Sequence, residues 1–223
     1  DKKKLLDSYN REAWFNDADI FAGRYTVARN ADENTTMSYL FDVTRETLAE
    51  YCCKYFDKTP EISELKVLFT MASIIQKESN SVKEMPLISS VIYSRLEKNM
   101  RLQMDSTLNY GPYSHTVVTP ERIKTDTSQY NTYKHKGLPL SPLGTVTLDA
   151  LYAAKYPIDS DYLFFMLSAE GGHHFTATYQ EHLDNIRAFR IHQKMKAQKK
   201  EQQLKETLSV EAYAAANAVQ NAE

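Results

Sequence analysis

Residues 65–79 read Leu-Lys-Val-Leu-Phe-Thr-Met-Ala-Ser-Ile-Ile-Gln-Lys-Glu-Ser and carry the strongest periodic signal in the chain. Side chains at steps of four, three and four residues share one helical face: Val67, Met71, Ile74 and Glu78. The spacing predicts an α-helix that begins after Pro60 and is broken at Ser79-Asn80-Ser81. Its apolar stripe is closed by a carboxyl group, Glu78, which is the most informative local anomaly of the sequence.

Two interpretations of Glu78 follow from this position. Partial desolvation on an apolar helix face disfavours the charged form of a carboxyl group. A protonated carboxylic acid near neutral pH can protonate a glycosidic oxygen, and its conjugate base can accept a proton in a later step. The alternative is a glutamate that is simply solvated at a frayed helix end, and helical spacing taken alone favours that alternative.

The composition bounds the function. The chain has 223 residues, 42% hydrophobic and 25% charged, which is typical of a globular protein. With a formal net charge of −2, we expect no nucleic-acid partner. No run approaches the roughly 20 apolar residues that span a bilayer, and no signal peptide is visible. The adjacent Cys52 and Cys53 are expected on a helix, one inward and one outward. Because no His, Cys or carboxylate cluster has metal-ligand spacing, we expect no metal and no cofactor.

Outside this helix, the patterns predict a strand over 20–27, helices over 37–56, 86–98 and 147–156, and strands over 162–167 and 174–176 joined at Gly171-Gly172. Residues 100–145 have little periodicity and many turn residues, as binding surfaces often do. Thr178-Tyr179-Gln180-Glu181 is a capping box that opens a last helix. These elements predict an α+β fold, with a helical core packed beside a small antiparallel sheet.

Several short motifs occur in a fixed order along the chain. Residues 72–79 contain Ala-Ser-Ile-Ile-Gln-Lys-Glu-Ser, and residues 100–107 read Met-Arg-Leu-Gln-Met-Asp-Ser-Thr. The other motifs are Val-Ile-Tyr-Ser-Arg-Leu at 91–96, Asn-Tyr-Gly at 109–111, Tyr-Asn-Thr-Tyr at 130–133, Gly-Leu-Pro-Leu-Ser-Pro-Leu at 137–143, Tyr-Leu-Phe-Phe at 162–165 and Gly-Gly-His-His-Phe at 171–175.

Together these motifs, which span about residues 65–190, resemble the endolytic murein transglycosylase family, also called MltG or YceG-like. The family's catalytic helix has an Ala-Ser-Ile-aliphatic start followed by Glu-Lys-Glu-Thr/Ser. Here Gln76 stands in place of the first glutamate and Glu78 is the second. In the family's Met-Arg-Leu-Gln-x-Asp-Pro-Thr motif, Ser106 stands for the proline, and Asn109 begins a stretch similar to its aliphatic-Tyr-Gly ending. Ser94 stands where the family's Asn-Arg-Leu has asparagine.

The resemblance implies a YceG-like catalytic domain that cleaves the MurNAc–GlcNAc bond of nascent glycan strands and leaves 1,6-anhydro-MurNAc ends. It implies that Glu78 is the single acid/base, which suffices because the nucleophile is the substrate's own C6 hydroxyl. Substrate contacts are expected from Ser79, Arg101, Gln103, Asp105, Asn131, Tyr133 and His173. Without the resemblance, the same side chains are equally compatible with solvated charges, turn residues and ordinary loop residues.

Two other functions remain open on the sequence. A working second carboxylate, for which Asp105 is the best candidate, would favour a muramidase-type hydrolase. The departures at Gln76, Ser94 and Ser106 leave room for a non-catalytic glycan-binding or scaffold relative in cell-wall synthesis.

The resemblance also predicts the domain organisation and the cellular place. Residues 1–60 match poorly and are expected to be a remnant or linker from a membrane-proximal LysM-like region. Residues 61–192 are expected to form the catalytic domain, and 193–223 a charged, then Ala-rich tail. The full-length protein is expected in the inner membrane, with a single-pass anchor that this chain lacks and the catalytic domain in the periplasm. Its expected partners are peptidoglycan glycan strands and, as candidates, peptidoglycan synthases.

Overall fold

The computed structural model describes residues 20–79, 81–114 and 116–220, and the chain forms two compact units, Asp1–Leu163 and Phe164–Glu223. In its described part, the first unit contains helices α1 (Glu33–Tyr55), α2 (Ile62–Glu78), α3 (Met85–Glu97), α4 (Pro120–Thr125) and α5 (Leu148–Lys155). It also contains short 3₁₀ turns at Val82–Glu84, Asp105–Leu108 and Gly111–Tyr113.

The second unit begins with an antiparallel hairpin of β1 (Phe164–Leu167) and β2 (His173–Thr176), in which Phe164 pairs with Thr176 and Leu167 with His173. Gly171 has a φ of 95°, the left-handed conformation that favours glycine in a tight turn. Helix α6 (Tyr179–Gln220) follows. The predicted capping box is present, because Glu181 accepts hydrogen bonds from the N–H and O–H of Thr178, while Thr178 Oγ1 accepts from the Glu181 N–H.

Helix α2 is the centre of the first unit and packs against α3, α5 and the 3₁₀ turn at Asp105–Leu108. Every residue from 68 to 75 is buried, so the second half of the helix is enclosed on all sides. The prediction that Val67 shares the buried stripe is wrong, because its side chain is 51% exposed. In the first half of the helix only the opposite face, which includes Leu65, meets the core.

The start of the described chain also departs from the prediction. Residues 20–27 are not a strand. They make an isolated parallel bridge at Phe21 with Val146, supported by a hydrogen bond from Ala22 N–H to the Val146 carbonyl at 2.7 Å. Helix α1 begins at Glu33, earlier than the predicted residue 37, because the Asp32 carboxylate accepts the Thr35 N–H at 2.7 Å.

The remaining predicted elements are found within about two residues of their expected ends. The expected loop region 100–145 is mostly irregular, apart from α4 and two of the 3₁₀ turns. Cys52 is buried and Cys53 exposed, as predicted for neighbours on a helix. Asn80, part of the predicted break after α2, lies outside the described residues, as do residues 1–19. In the described part of the chain, no helix is both long and apolar enough to cross a bilayer.

Candidate functional site

Glu78 is the last residue of α2, at the point where the chain leaves the interior. Ser79 has extended backbone angles (φ −88°, ψ 142°), and its N–H donates to the Ile75 carbonyl at 3.0 Å, which closes the final turn. The side chains of Glu78 and Ser79 are both half-buried, as are the two residues that separate them from the fully enclosed stretch 68–75. The helix therefore carries the carboxyl group to the edge of the core rather than into free solvent.

A cleft of about 220 Å³ opens beside Glu78. The residues that line it come from the end of α2 and from residues 105–114: Lys77, Glu78, Asp105, Ser106, Asn109 and Ser114. It therefore brings Glu78 together with Asp105, a second predicted site residue.

The 3₁₀ turn at Asp105–Leu108 supplies a backbone hydrogen bond to Glu78. The Ser106 N–H donates to Glu78 Oε1 at 3.0 Å. Thr107 fixes this turn from inside, because its hydroxyl donates to the Met104 carbonyl at 2.6 Å and lies 2.8 Å from the Thr132 hydroxyl. A backbone amide held in this way faces the carboxylate without further rearrangement, and such a donor stabilises the ionised form.

Asp105 is hydrogen-bonded to a third predicted site residue, Tyr133. The Tyr133 hydroxyl donates to Asp105 Oδ1 at 2.6 Å. Burial, followed by the hydrogen bond and negative charge of Asp105 and by the charge of Glu78, raises the pKa of Tyr133 well above the usual tyrosine range, and Arg95 opposes this shift. Tyr133 is therefore a neutral hydrogen-bond donor at any physiological pH.

Asn131 lies behind Tyr133 and is 0% exposed. Its amide Nδ2 donates to the carbonyls of Ile123 and Asp126 at 2.9 and 2.8 Å, and its Oδ1 accepts the Tyr133 N–H at 3.1 Å. The amide group is thus used to shape the loop that presents Tyr133.

The other predicted site residues are placed differently. Arg101 and Gln103 are exposed. Gln103 has a φ of 51°, the left-handed region, and its N–H donates to the Thr132 carbonyl at 3.2 Å. His173 lies on β2 in the second unit, edge-on to the Phe165 ring at 5.4 Å between centroids.

Arg95 is a residue that sequence reasoning did not assign to the site. It is 7% exposed, and its Nε donates to the Leu163 carbonyl at 2.7 Å. Its Nη1 donates to the carbonyls of Arg101, at 3.3 Å, and of Leu102. Desolvation lowers the pKa of Arg95, while the nearby Tyr133 raises it. Arg95 therefore fixes the backbone that leads into the cleft wall. The sequence signal that could have identified Arg95 as a structural residue of the site was its place in the Ser-Arg-Leu motif.

Gln76 and Lys77, the two residues before Glu78, bind different parts of the structure. Gln76 Oε1 accepts the hydroxyl and the N–H of Thr147, at 2.6 and 3.3 Å, where α5 begins. The Lys77 ammonium donates to the Asn109 carbonyl at 2.7 Å and to the Ser114 hydroxyl at 3.0 Å, and burial lowers its pKa. Of the Gln-Lys-Glu sequence, Glu78 is thus the residue whose side chain accepts the Ser106 N–H.

Over residues 20–79, 81–114 and 116–220, no group of three or more His, Cys, Asp or Glu side chains is arranged to hold a metal ion.

Comparison with known proteins shows which proteins share this architecture. The sequence profile of the YceG-like family matches residues 3–188, which includes residues 3–60, a stretch that the motifs left poorly matched. An endolytic murein transglycosylase of Bacillus subtilis is 39% identical over 116 residues, covering 52% of this chain and 32% of the relative. One from Streptococcus pneumoniae strain D39 is 26% identical over 181 residues, covering 79% of this chain and 32% of the relative.

The chain therefore spans about a third of the length of these curated relatives. The crystal structure of a YceG-like protein from Listeria monocytogenes superposes with a TM-score of 0.63 at 28% identity, covering 82% of this chain and 62% of that one. This similarity confirms the predicted α+β, YceG-like fold.

Proposed function

Because this chain belongs to the YceG-like family, we propose that it is the glycan-cleaving part of an endolytic murein transglycosylase, with Glu78 as its single acid/base. The observation that supports the proposal is the position of Glu78, at the end of a buried helix, in a cleft, with the Ser106 N–H on Oε1 at 3.0 Å.

The proposed reaction uses the two protonation states of Glu78 in turn. The protonated carboxyl group gives its proton to the glycosidic oxygen, and the bond from that oxygen to C1 of MurNAc breaks. The carboxylate left behind accepts the Ser106 N–H and then removes the proton of the MurNAc C6 hydroxyl. The C6 oxygen forms the new bond to C1, which closes the 1,6-anhydro ring and regenerates the protonated acid. No water is consumed.

The neighbouring groups would orient the sugar rather than transfer protons. Tyr133, a neutral donor, holds Asp105 through the 2.6 Å hydrogen bond, and Asn131 holds the Tyr133 backbone. Exposed Arg101 and Gln103 and half-buried Ser79 complete the proposed substrate contacts of the first unit. His173 lies in the second unit and stays a prediction from the sequence.

A second candidate function is supported by Asp105, which lines the same cleft as Glu78. Two carboxyl groups beside one glycosidic bond are the arrangement of a hydrolase, in which Asp105 would activate water or form a covalent intermediate. A purely glycan-binding role would use the same cleft without either proton transfer.

The biological setting is part of the proposal. The substrate would be the glycan strand of peptidoglycan, cut internally, beside peptidoglycan synthases. Within a longer protein, residues 61–192 would be the catalytic domain, residues 1–60 the connection to a LysM-like region and a single inner-membrane anchor, and 193–223 a periplasmic tail.

Digestion of purified sacculi in ¹⁸O-water separates these functions. A transglycosylase releases muropeptides with unlabelled 1,6-anhydro ends, because the oxygen that attacks C1 belongs to the substrate. Labelled, reducing muramoyl ends would instead identify the hydrolase. If the chain binds sacculi but releases no new ends of either kind, the glycan-binding function is correct and the enzyme proposal fails.

A further inference from the structure

Two polar atoms in the cleft beside Glu78 have no hydrogen-bond partner among the described residues. They are the hydroxyl oxygen of Ser106 and the side-chain carbonyl oxygen of Asn109, and both are buried. Ser106 as a whole is 7% exposed. A buried polar atom without a hydrogen-bond partner costs stability. Two such atoms in one cleft therefore indicate that a ligand binds there.

The two residues are neighbours at one turn. Ser106 lies in the 3₁₀ turn, and Asn109 caps its end, where the Asn109 N–H donates to the Ser106 carbonyl at 2.9 Å. The Ser106 N–H donates to Glu78, so the pair adjoins the carboxyl group. The Lys77 ammonium fixes the far end of the turn through the Asn109 carbonyl at 2.7 Å.

Neither side-chain atom helps to close the turn, because neither has a hydrogen-bond partner among the described residues. Their polarity is therefore available for a ligand rather than for the fold.

We propose that Ser106 and Asn109 form an acetamido subsite, an inference that rests on the proposed glycan-cleaving function. The amide carbonyl of the sugar accepts the Ser106 O–H, and the amide N–H donates to Asn109 Oδ1. In MurNAc the acetamido group is attached to C2, the carbon next to the reacting C1. Ser106 also donates its N–H to Glu78. A subsite at Ser106 therefore lies near the acetamido group when the Glu78 carboxyl group reaches the glycosidic oxygen.

Such a pair discriminates strongly between sugars, because a sugar without the amide leaves both buried atoms unpaired. The test is calorimetric binding of two neutral, β-1,4-linked tetrasaccharides to the full chain, one of N-acetylglucosamine and one of glucose. We expect the parent protein to prefer the acetylated tetramer. The substitutions Asn109→Leu and Ser106→Ala should each reduce that preference about tenfold, the effect of one lost hydrogen bond.

A matched control is available in Ser89, on α3. Its hydroxyl is also buried and without a partner in the described part of the chain, but it does not line the cleft. Ser89→Ala removes the same atom and should leave the preference unchanged. The melting temperatures of Ser106→Ala and Asn109→Leu should be no lower than that of the parent, since an unsatisfied polar atom is removed in each.

Three results would overturn the subsite: no binding of the acetylated tetramer, equal affinity of the parent for both tetramers, or an unchanged preference in both cleft variants, which would mean that only water occupies these atoms. Anhydro-muropeptide release is measured separately on sacculi. If no anhydro-muropeptides are released, the proposed transglycosylase activity is wrong. The binding result would still show whether the acetamido subsite exists.

Discussion

The backbone N–H of Ser106 lies 3.0 Å from Glu78 Oε1, and the two residues are 28 positions apart in the chain. The contact joins the end of the buried helix α2 to the 3₁₀ turn at Asp105–Leu108. Because a backbone donor favours the ionised carboxylate, this turn both positions Glu78 and influences when it gives up its proton.

Ser106→Pro should shift the alkaline limit of glycan cleavage to higher pH. Proline has no N–H, so Glu78 loses a donor to its charged form and stays protonated at higher pH. Asp105, Tyr133 and Lys77 remain in place in this variant. The measurement is the pH–rate profile of anhydro-end release. Ser106→Ala keeps the N–H and serves as the control, and identical profiles for the two variants would argue against the role of the backbone donor.

Glu78→Gln should lower the rate of glycan cleavage by about 10²–10⁴-fold, the usual contribution of general acid–base catalysis, or more since one group serves both steps. The substitution removes the proton and little volume, so the melting temperature should be nearly unchanged. Glu97→Gln is the matched control, because Glu97 also ends a helix, α3, but is exposed. If Glu78→Gln kept near-parental activity, Asp105 would be the next candidate acid.

Tyr133→Phe should weaken glycan cleavage about tenfold while costing about 1 kcal/mol of stability, because Asp105 loses a single hydrogen-bond donor. Since the pKa of Tyr133 is raised, its hydroxyl stays protonated through the alkaline range in which ordinary tyrosines ionise. The absorbance titrations of the parent and the variant at 295 nm should therefore coincide up to about pH 11. A missing tyrosinate signal near pH 10 in the variant would contradict the buried, hydrogen-bonded state of Tyr133.

Arg95→Gln should lower the free energy of unfolding by about 2–4 kcal/mol, because the carbonyls of Leu163, Arg101 and Leu102 lose their common donor in a buried setting. Arg101→Gln should change it by no more than about 0.5 kcal/mol, since the Arg101 side chain is exposed. Urea denaturation measures both. Because Arg101 is a proposed substrate contact, Arg101→Gln should instead raise KM for glycan strands. Equal losses of stability in the Arg95 and Arg101 variants would show that burial does not separate the roles of the two residues.

Much of the fold could be predicted from the sequence because it depends on neighbours in the chain. The end of α2 at Glu78, the extent of α3, the hairpin turn at Gly171 and the capping box at Thr178 all follow from helical spacing, turn residues and local hydrogen bonds. The family motifs further singled out Glu78, Asp105 and Tyr133, three residues that the structure joins through one cleft and one hydrogen bond.

What only the tertiary structure decided is which side chains are enclosed and what they face. Val67 and Ile74 share a helical stripe, yet Val67 is 51% exposed and Ile74 0%, because neighbouring elements surround only the second half of α2. Asn131 carries the groups of a sugar-binding residue but uses them on the backbone. The sequence determined the carboxyl group and the helix that carries it. The fold determined that the Ser106 N–H meets that carboxyl group, since contacts between distant segments depend on packing that no local pattern records.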